Sequence, residues 1–112
     1  MSRVLIGGFG AIARLGLRDV LDEEGFDVVA EQSAPEELLA LLTRVRPDVV
    51  LLDLETESSA ELAARICSDF PAVKVIACSP EESTMRVFPP FHHGESYLSD
   101  LDPVALADSV RG

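Results

Sequence analysis

The chain has 112 residues, enough for one domain with a single core, and its formal net charge is -11. Hydrophobic residues make up 47% and charged residues 26% of the chain, a balance typical of folded proteins, so we expect residues 1–112 to form one folded domain. The negative charge disfavours direct contact with nucleic acids or anionic membranes. Residues 1–3 show no signal-peptide pattern and no apolar run approaches the roughly twenty residues of a membrane span, so a cytoplasmic location is expected.

Short apolar runs alternate with stretches of helical periodicity, the pattern of a mostly parallel sheet covered by helices on both faces. Strands are predicted at residues 4–6, 28–30, 49–53, 73–78 and 97–98. Gly25 is expected to end the first helix, and Asp102 with Pro103 to open the last one. The two cysteines, Cys67 and Cys78, are expected to be buried free thiols.

Pro89 and Pro90 fall where a fourth helix would be expected after the fourth strand. Proline inside a helix costs about 3 kcal/mol, so this helix should be shortened or irregular. The predicted fold is therefore a doubly wound α/β sheet of five parallel strands, flavodoxin-like, with an irregular fourth helix.

Ligands and chemistry in such a sheet gather at the carboxyl ends of the strands. This rule selects residues 7–9, residues 53–55, Ser79 and Asp100 as one cluster. The segment Arg46-Pro47-Asp48-Val49-Val50-Leu51-Leu52-Asp53-Leu54 resembles the receiver domain of two-component response regulators. The resemblance covers nearly the whole chain and is greatest to the subgroup that carries a LuxR-type helix-turn-helix after the receiver.

The resemblance implies a role for each matching position. Asp53 occupies the phosphoacceptor position, Ser79 that of the switch hydroxyl and Tyr97 that of the switch aromatic residue. The acidic pair that holds Mg²⁺ in the family is replaced by Gly8 and Phe9. The lysine that contacts the phosphoryl group in the family is replaced by Asp100.

These replacements predict a degenerate pocket. Phosphoryl transfer to a carboxylate brings anionic groups together and depends on cations that neutralise them. Asp53 alone is a poor Mg²⁺ site, and Asp100 at about 4 Å would add several kcal/mol of repulsion at an effective dielectric near 20. We therefore expect no catalytic residue, metal or cofactor, and a phosphorylation-independent domain. The alternative is a receiver still phosphorylated on Asp53, with Glu55 or Glu57 as a substitute metal ligand.

A second alternative is a dinucleotide-binding domain. Gly8, Gly10 and Ala13 fit the G-x-G-x-x-A fingerprint after a strand, and Glu31 follows about twenty residues later, where it could bind a ribose hydroxyl. A tight turn from strand to helix explains the same glycines more simply.

The resemblance implies a non-enzymatic regulator of transcription that controls an attached or partner DNA-binding domain as a homodimer. A dimer surface or a small-molecule ligand would then carry the signal in place of phosphate. Val87, Phe88 and Phe91 form an apolar stretch beside the prolines, and we expect it to be an interaction surface. The alternative is that both phenylalanines fold inward and fill the core.

Overall fold

The computed structural model describes residues 2–7, 11–32, 35–53, 59–79, 81–91 and 96–111. One six-stranded sheet runs through it in the order β2-β1-β3-β4-β5-β6. The elements in chain order are β1 (Arg3–Gly7), α1 (Ala11–Glu23), β2 (Asp27–Gln32), α2 (Pro35–Val45), β3 (Val49–Asp53), α3 (Ser59–Asp69), β4 (Lys74–Ser79), β5 (Thr84–Phe88), β6 (Tyr97–Asp100) and α4 (Pro103–Arg111).

The first four strands are parallel, and the order β2-β1-β3-β4 is that of a doubly wound sheet with its switch point between β1 and β3. The predicted α/β fold class is confirmed. The expectation of five parallel strands needs correction, because the sheet has six strands and β5 and β6 are antiparallel to their neighbours.

The irregular fourth helix predicted after β4 is replaced by β5. Thr84 to Phe88 alternate between half-buried and buried side chains, the two-residue period of a strand, and Pro89 follows directly. A turn in which the Glu82 amide donates to the Ser79 carbonyl at 3.1 Å reverses the chain. A hairpin therefore stands where a crossover helix was expected.

Two hydrophobic clusters cover the two sides of the sheet. On the α1/α4 face, Leu21 of α1 and Leu106 and Val110 of α4 pack on alternate residues of β1, β3, β4 and β5. On the α2/α3 face, helices α2 and α3 pack on the other residues of β1, β3 and β4. The central strand β3 is buried on both faces, as its continuous apolar run predicts.

Local signals in the sequence fix the ends of two helices. Gly25 has a φ of 79°, and the Phe26 amide donates to the Leu21 carbonyl at 3.0 Å, which completes a glycine-terminated helix end. Asp102 accepts a hydrogen bond from the Ala105 amide at 2.8 Å and caps α4. Both predicted helix ends are confirmed.

The last helix is tied to the sheet by Lys74, whose Nζ donates to the Ser109 carbonyl at 2.6 Å. Lys74 is buried, and this burial lowers its pKa. No helix in the described part of the chain is both long enough and apolar enough to cross a bilayer.

Candidate functional site

Asp53 is the last residue of β3 and lies between β1 and β4 at the carboxyl edge of the sheet. Residues 49–52 are buried and Asp53 is the first half-exposed residue of the strand. Leu52 is paired with Gly7 of β1, and Asp53 with Cys78 of β4. The parallel register therefore places this carboxylate at the centre of the edge, where the doubly wound fold gathers its chemistry.

The β1 side of the site depends on a glycine. A Cβ on Gly7 would lie 2.9 Å from Leu38 Cδ2 and 3.3 Å from Leu52 Cδ2, so a larger residue would require these buried side chains to shift. Gly8 and Phe9, predicted to replace the acidic pair, lie outside the described residues. Their replacement remains a prediction from the sequence.

The neighbour of Asp53 in the sheet is Cys78, which the sequence did not single out. Both side chains point to the α1/α4 face by strand alternation. Burial, and secondly the negative charge of Asp53, raises the pKa of Cys78 to about 12. The thiol beside the acceptor position is therefore neutral at physiological pH, as expected for a buried free cysteine, and Cys67 is also a free, half-buried thiol.

Ser79 follows Cys78 at the same edge and is half-buried. Alternation directs its side chain to the α2/α3 face, the side opposite to Asp53. Its carbonyl accepts the turn hydrogen bond that starts β5, and no helix follows it directly. The structure thus brings the switch-hydroxyl position to the predicted edge, while its switching role remains a prediction.

Asp100 lies at the carboxyl end of β6, opposite Thr84 of β5. Strands β4 and β5 separate it from β3, so three spacings of about 4.8 Å put it ~14 Å from Asp53 across the sheet. The expectation that Asp100 lies in one cluster with Asp53, at the place of the lysine that contacts the phosphoryl group, is therefore wrong. The inserted strand β5 is the reason, because it moves β6 outward by one position.

Tyr97 lies at the opposite end of β6, where it is paired with Val87 and is 48% exposed. Ser79 is paired with Thr84 at the other end of β5. Ser79 therefore lies at the carboxyl end of β4 and Tyr97 at the amino end of β6, so the two predicted switch positions are not brought together.

The three residues of the predicted interaction surface differ in their exposure to solvent. Val87 is fully buried in β5, so its assignment to an exposed surface is wrong. Phe88 is half-buried and packs against the cluster on the α2/α3 face. Phe91 is 62% exposed, and its amide donates to the Pro71 carbonyl at 2.7 Å. Only Phe91 is presented to solvent as expected.

The dinucleotide alternative is not favoured. It required Glu31 to bind a ribose hydroxyl, whereas the Glu31 carboxylate accepts a hydrogen bond from Arg18 at 2.9 Å and lies 3.7 Å from Arg14 Nε. These contacts tie the end of β2 to α1. Gly8 and Gly10 lie outside the described residues, as does the side chain of Ala13.

The described residues contain no group of three or more His, Cys, Asp and Glu side chains placed to hold a metal ion. Asp53 is the candidate metal ligand that the structure does place at the edge. A second carboxylate from Glu55 or Glu57, as the phosphorylated alternative requires, falls outside the described part of the chain.

No protein-family model matches the chain. The chain is 33% identical over 113 residues to an uncharacterized response regulatory protein of Yersinia pestis, covering 98% of this chain and 47% of that protein. It is 31% identical over 81 residues to the chemotaxis protein CheY of Listeria monocytogenes, covering 70% of this chain and 68% of that protein. It is 27% identical to the uncharacterized transcriptional regulatory protein YxjL of Bacillus subtilis, and the match covers 97% of this chain and 52% of that protein.

Among solved structures, the signal receiver domain of the response regulator NarL from Mycobacterium tuberculosis has a TM-score of 0.62 and 30% identity, with 70% of this chain covered and 65% of that one. The chain spans about half the length of the first of its curated relatives. These similarities agree with the doubly wound sheet described above. The chain belongs to the receiver family of response regulators.

Proposed function

We propose that this receiver regulates a DNA-binding domain of the LuxR type, attached or in a partner chain, as a homodimer and without phosphorylation. Similarity to a transcriptional regulatory protein and to a response regulator supports a role in transcription. The net charge of -11 supports regulation of a DNA-binding domain over direct DNA contact. Its output would depend on dimerisation or on a ligand.

The observation that carries this proposal is the position of the only lysine in the sequence, Lys74. Lys74 begins β4 and is paired with Val49, whereas Cys78 at the other end of the strand is paired with Asp53. Four residues at about 3.3 Å place Lys74 ~13 Å away along the sheet, where it is bound to the Ser109 carbonyl.

A receiver needs positive charge at the acceptor because the attacking carboxylate and the phosphoryl group are both anionic. Lys74 cannot supply it from the opposite edge of the sheet, and the position that resembles the family's lysine holds Asp100. The replacement of the acidic pair by Gly8 and Phe9 would also remove two Mg²⁺ ligands. Together these changes argue against efficient transfer to Asp53.

The test is incubation of the 112-residue chain with acetyl phosphate and Mg²⁺, followed by intact-mass measurement. We expect no stoichiometric phosphoryl adduct. A receiver that has the acidic pair and the lysine serves as the positive control, and the Asp53→Asn variant shows whether any adduct depends on the acceptor.

A stoichiometric adduct that disappears in Asp53→Asn would contradict the proposal and establish the phosphorylated alternative. That alternative is supported by the half-exposed position of Asp53 at the centre of the carboxyl edge.

A further inference from the structure

The outer strand β6 ends the sheet with an unusually apolar edge. Tyr97 is 48% exposed and Leu98 is 62% exposed. Edge strands usually carry lysine, proline or bulges that prevent pairing with another chain. Within β6 the charged residue is Asp100, at the end of the strand, and the strand contains neither lysine nor proline.

The hydrogen-bond pattern shows which backbone groups of β6 face outward. The Leu101 amide donates to the Ser83 carbonyl at 2.8 Å, so these opposed residues form a hydrogen-bonded pair that extends the β5–β6 ladder. Hydrogen-bonded and non-hydrogen-bonded pairs alternate along an antiparallel ladder. Ser99 and Tyr97 therefore bond to β5, and the amides and carbonyls of Leu98 and Asp100 point to the free edge.

We infer that a second copy of this chain pairs with this edge, β6 against β6, antiparallel about a two-fold axis at Leu98. Such an axis sets Leu98 opposite the partner's Leu98, and Ser96 opposite the partner's Asp100. Leu98 and Asp100 have outward-facing backbone groups, and the same alternation continued by one residue beyond Tyr97 gives Ser96 that orientation, so each pair exchanges two hydrogen bonds. The two sheets become one continuous sheet across the axis.

Charge complementarity supports a second copy as the occupant. Arg86 Nη1 donates to Ser96 Oγ at 3.0 Å on the α2/α3 face, the face to which Leu98 and Asp100 also point. The partner's Asp100 lies opposite Ser96 in this pairing, next to the Arg86 guanidinium. A guanidinium has five N–H donors, so the one that binds Ser96 can also bind this carboxylate. The two-fold axis repeats the contact.

Burial of apolar side chains also stabilises the dimer at the two-fold axis. The exposed Leu98 side chains meet on the α2/α3 face, and Tyr97 lies opposite the partner's Ser99 on the α1/α4 face. This inference rests on the proposed function in one respect, because it identifies the interface of the homodimer proposed there. A phosphoryl adduct on Asp53 would contradict phosphorylation independence and leave this dimer untouched. A monomeric chain would contradict the dimer and the homodimer part of the proposed function, and would leave phosphorylation independence untouched.

The first test compares Leu98→Lys with Val104→Lys by sedimentation equilibrium. Leu98→Lys sets two ammonium groups against each other at the axis, and we expect the dimer dissociation constant to rise by about tenfold or more. Val104 on α4 is 71% exposed and is the matched control, which should dimerise as the parent chain does. A monomeric parent chain, or a dimer weakened by Val104→Lys and not by Leu98→Lys, would overturn the inference.

The second test locates the axis by cross-linking in a Cys67→Ser background. Hydrogen-bonded partners have Cα atoms about 5.5 Å apart, within disulfide range, so Leu98→Cys should form a disulfide-linked dimer on mild oxidation. Ser99→Cys is the matched control, because residues 99 of the two copies are offset by two positions along the strands and exceed that range. Equal cross-linking of the two variants would exclude this register.

Discussion

The residue paired with Asp53 in the neighbouring strand is Cys78. Asp53 ends a strand that is buried on both faces, and its neighbour across the ladder is a thiol. Burial and the nearby carboxylate both oppose ionisation of this thiol, because each penalises the thiolate. The thiol therefore adds no negative charge beside Asp53 at physiological pH.

This arrangement predicts different reactivities for the two cysteines. At pH about 8, iodoacetamide should label Cys67 in the folded chain, more slowly than a free thiol because burial also raises its pKa, and should leave Cys78 unmodified. Peptide mass spectrometry measures both sites. Both cysteines should react in guanidinium chloride.

The Cys67→Ser variant is the control for this experiment, and its native form should take up no label. Labelling of Cys78 in the native protein as fast as that of Cys67 would show that the end of β4 is open to solvent.

The sequence could predict Asp53 and could not predict its thiol neighbour. A continuous apolar run that ends in aspartate marks the end of a buried strand from local information alone. Which residue of β4 lies opposite depends on register, which here includes the hydrogen bond from the Lys74 amide to the Asp48 carbonyl at 3.0 Å. Such a contact between distant segments leaves no periodic trace.

At the scale of elements, β5 is the main departure from expectation. The prolines predict a shortened or irregular helix, whereas residues 84–88 form a strand with a two-residue alternation of burial. The resemblance to receivers favoured a helix there. Asp100 also lies away from its expected position, because the inserted strand β5 places β6 one strand farther from β3.

The end of β5 allows Phe88 and Phe91 to be compared directly. Phe88→Ser removes a half-buried ring from the α2/α3 cluster and should lower the free energy of unfolding by about 2 kcal/mol. Phe91→Ser alters an exposed ring and should change it by less than about 0.5 kcal/mol. Urea unfolding of the two variants measures the difference. Equal losses would mean that Phe91 is also part of the core.

At the scale of the whole molecule, repulsion between the excess acidic groups destabilises the folded state. The chain carries a formal net charge of -11, and its ion pairs, such as Arg65 with Asp69 at 3.7 Å, are largely exposed. Exposed pairs contribute little, so repulsion between acidic groups should dominate the effect of salt on stability.

We therefore expect the melting temperature to rise by about 3 °C between roughly 20 mM and 0.5 M NaCl, because salt screens the repulsion. Circular dichroism provides the measurement. Asp19→Lys with Glu23→Lys, both exposed on α1, is the control and should melt higher at low salt with a weaker salt dependence. A melting temperature that falls as salt is added would show that ion pairs outweigh repulsion.

Because a hairpin replaces the fourth helix, amide hydrogen-exchange rates should differ between the strands of the sheet. Strand β6 ends the sheet and has β5 as its neighbour, whereas β3 lies between β1 and β4 and is covered on both faces. In a single chain the Leu98 and Asp100 amides face water and exchange quickly. The Tyr97 and Ser99 amides exchange when β6 alone detaches, and the β3 amides exchange only when the whole sheet opens.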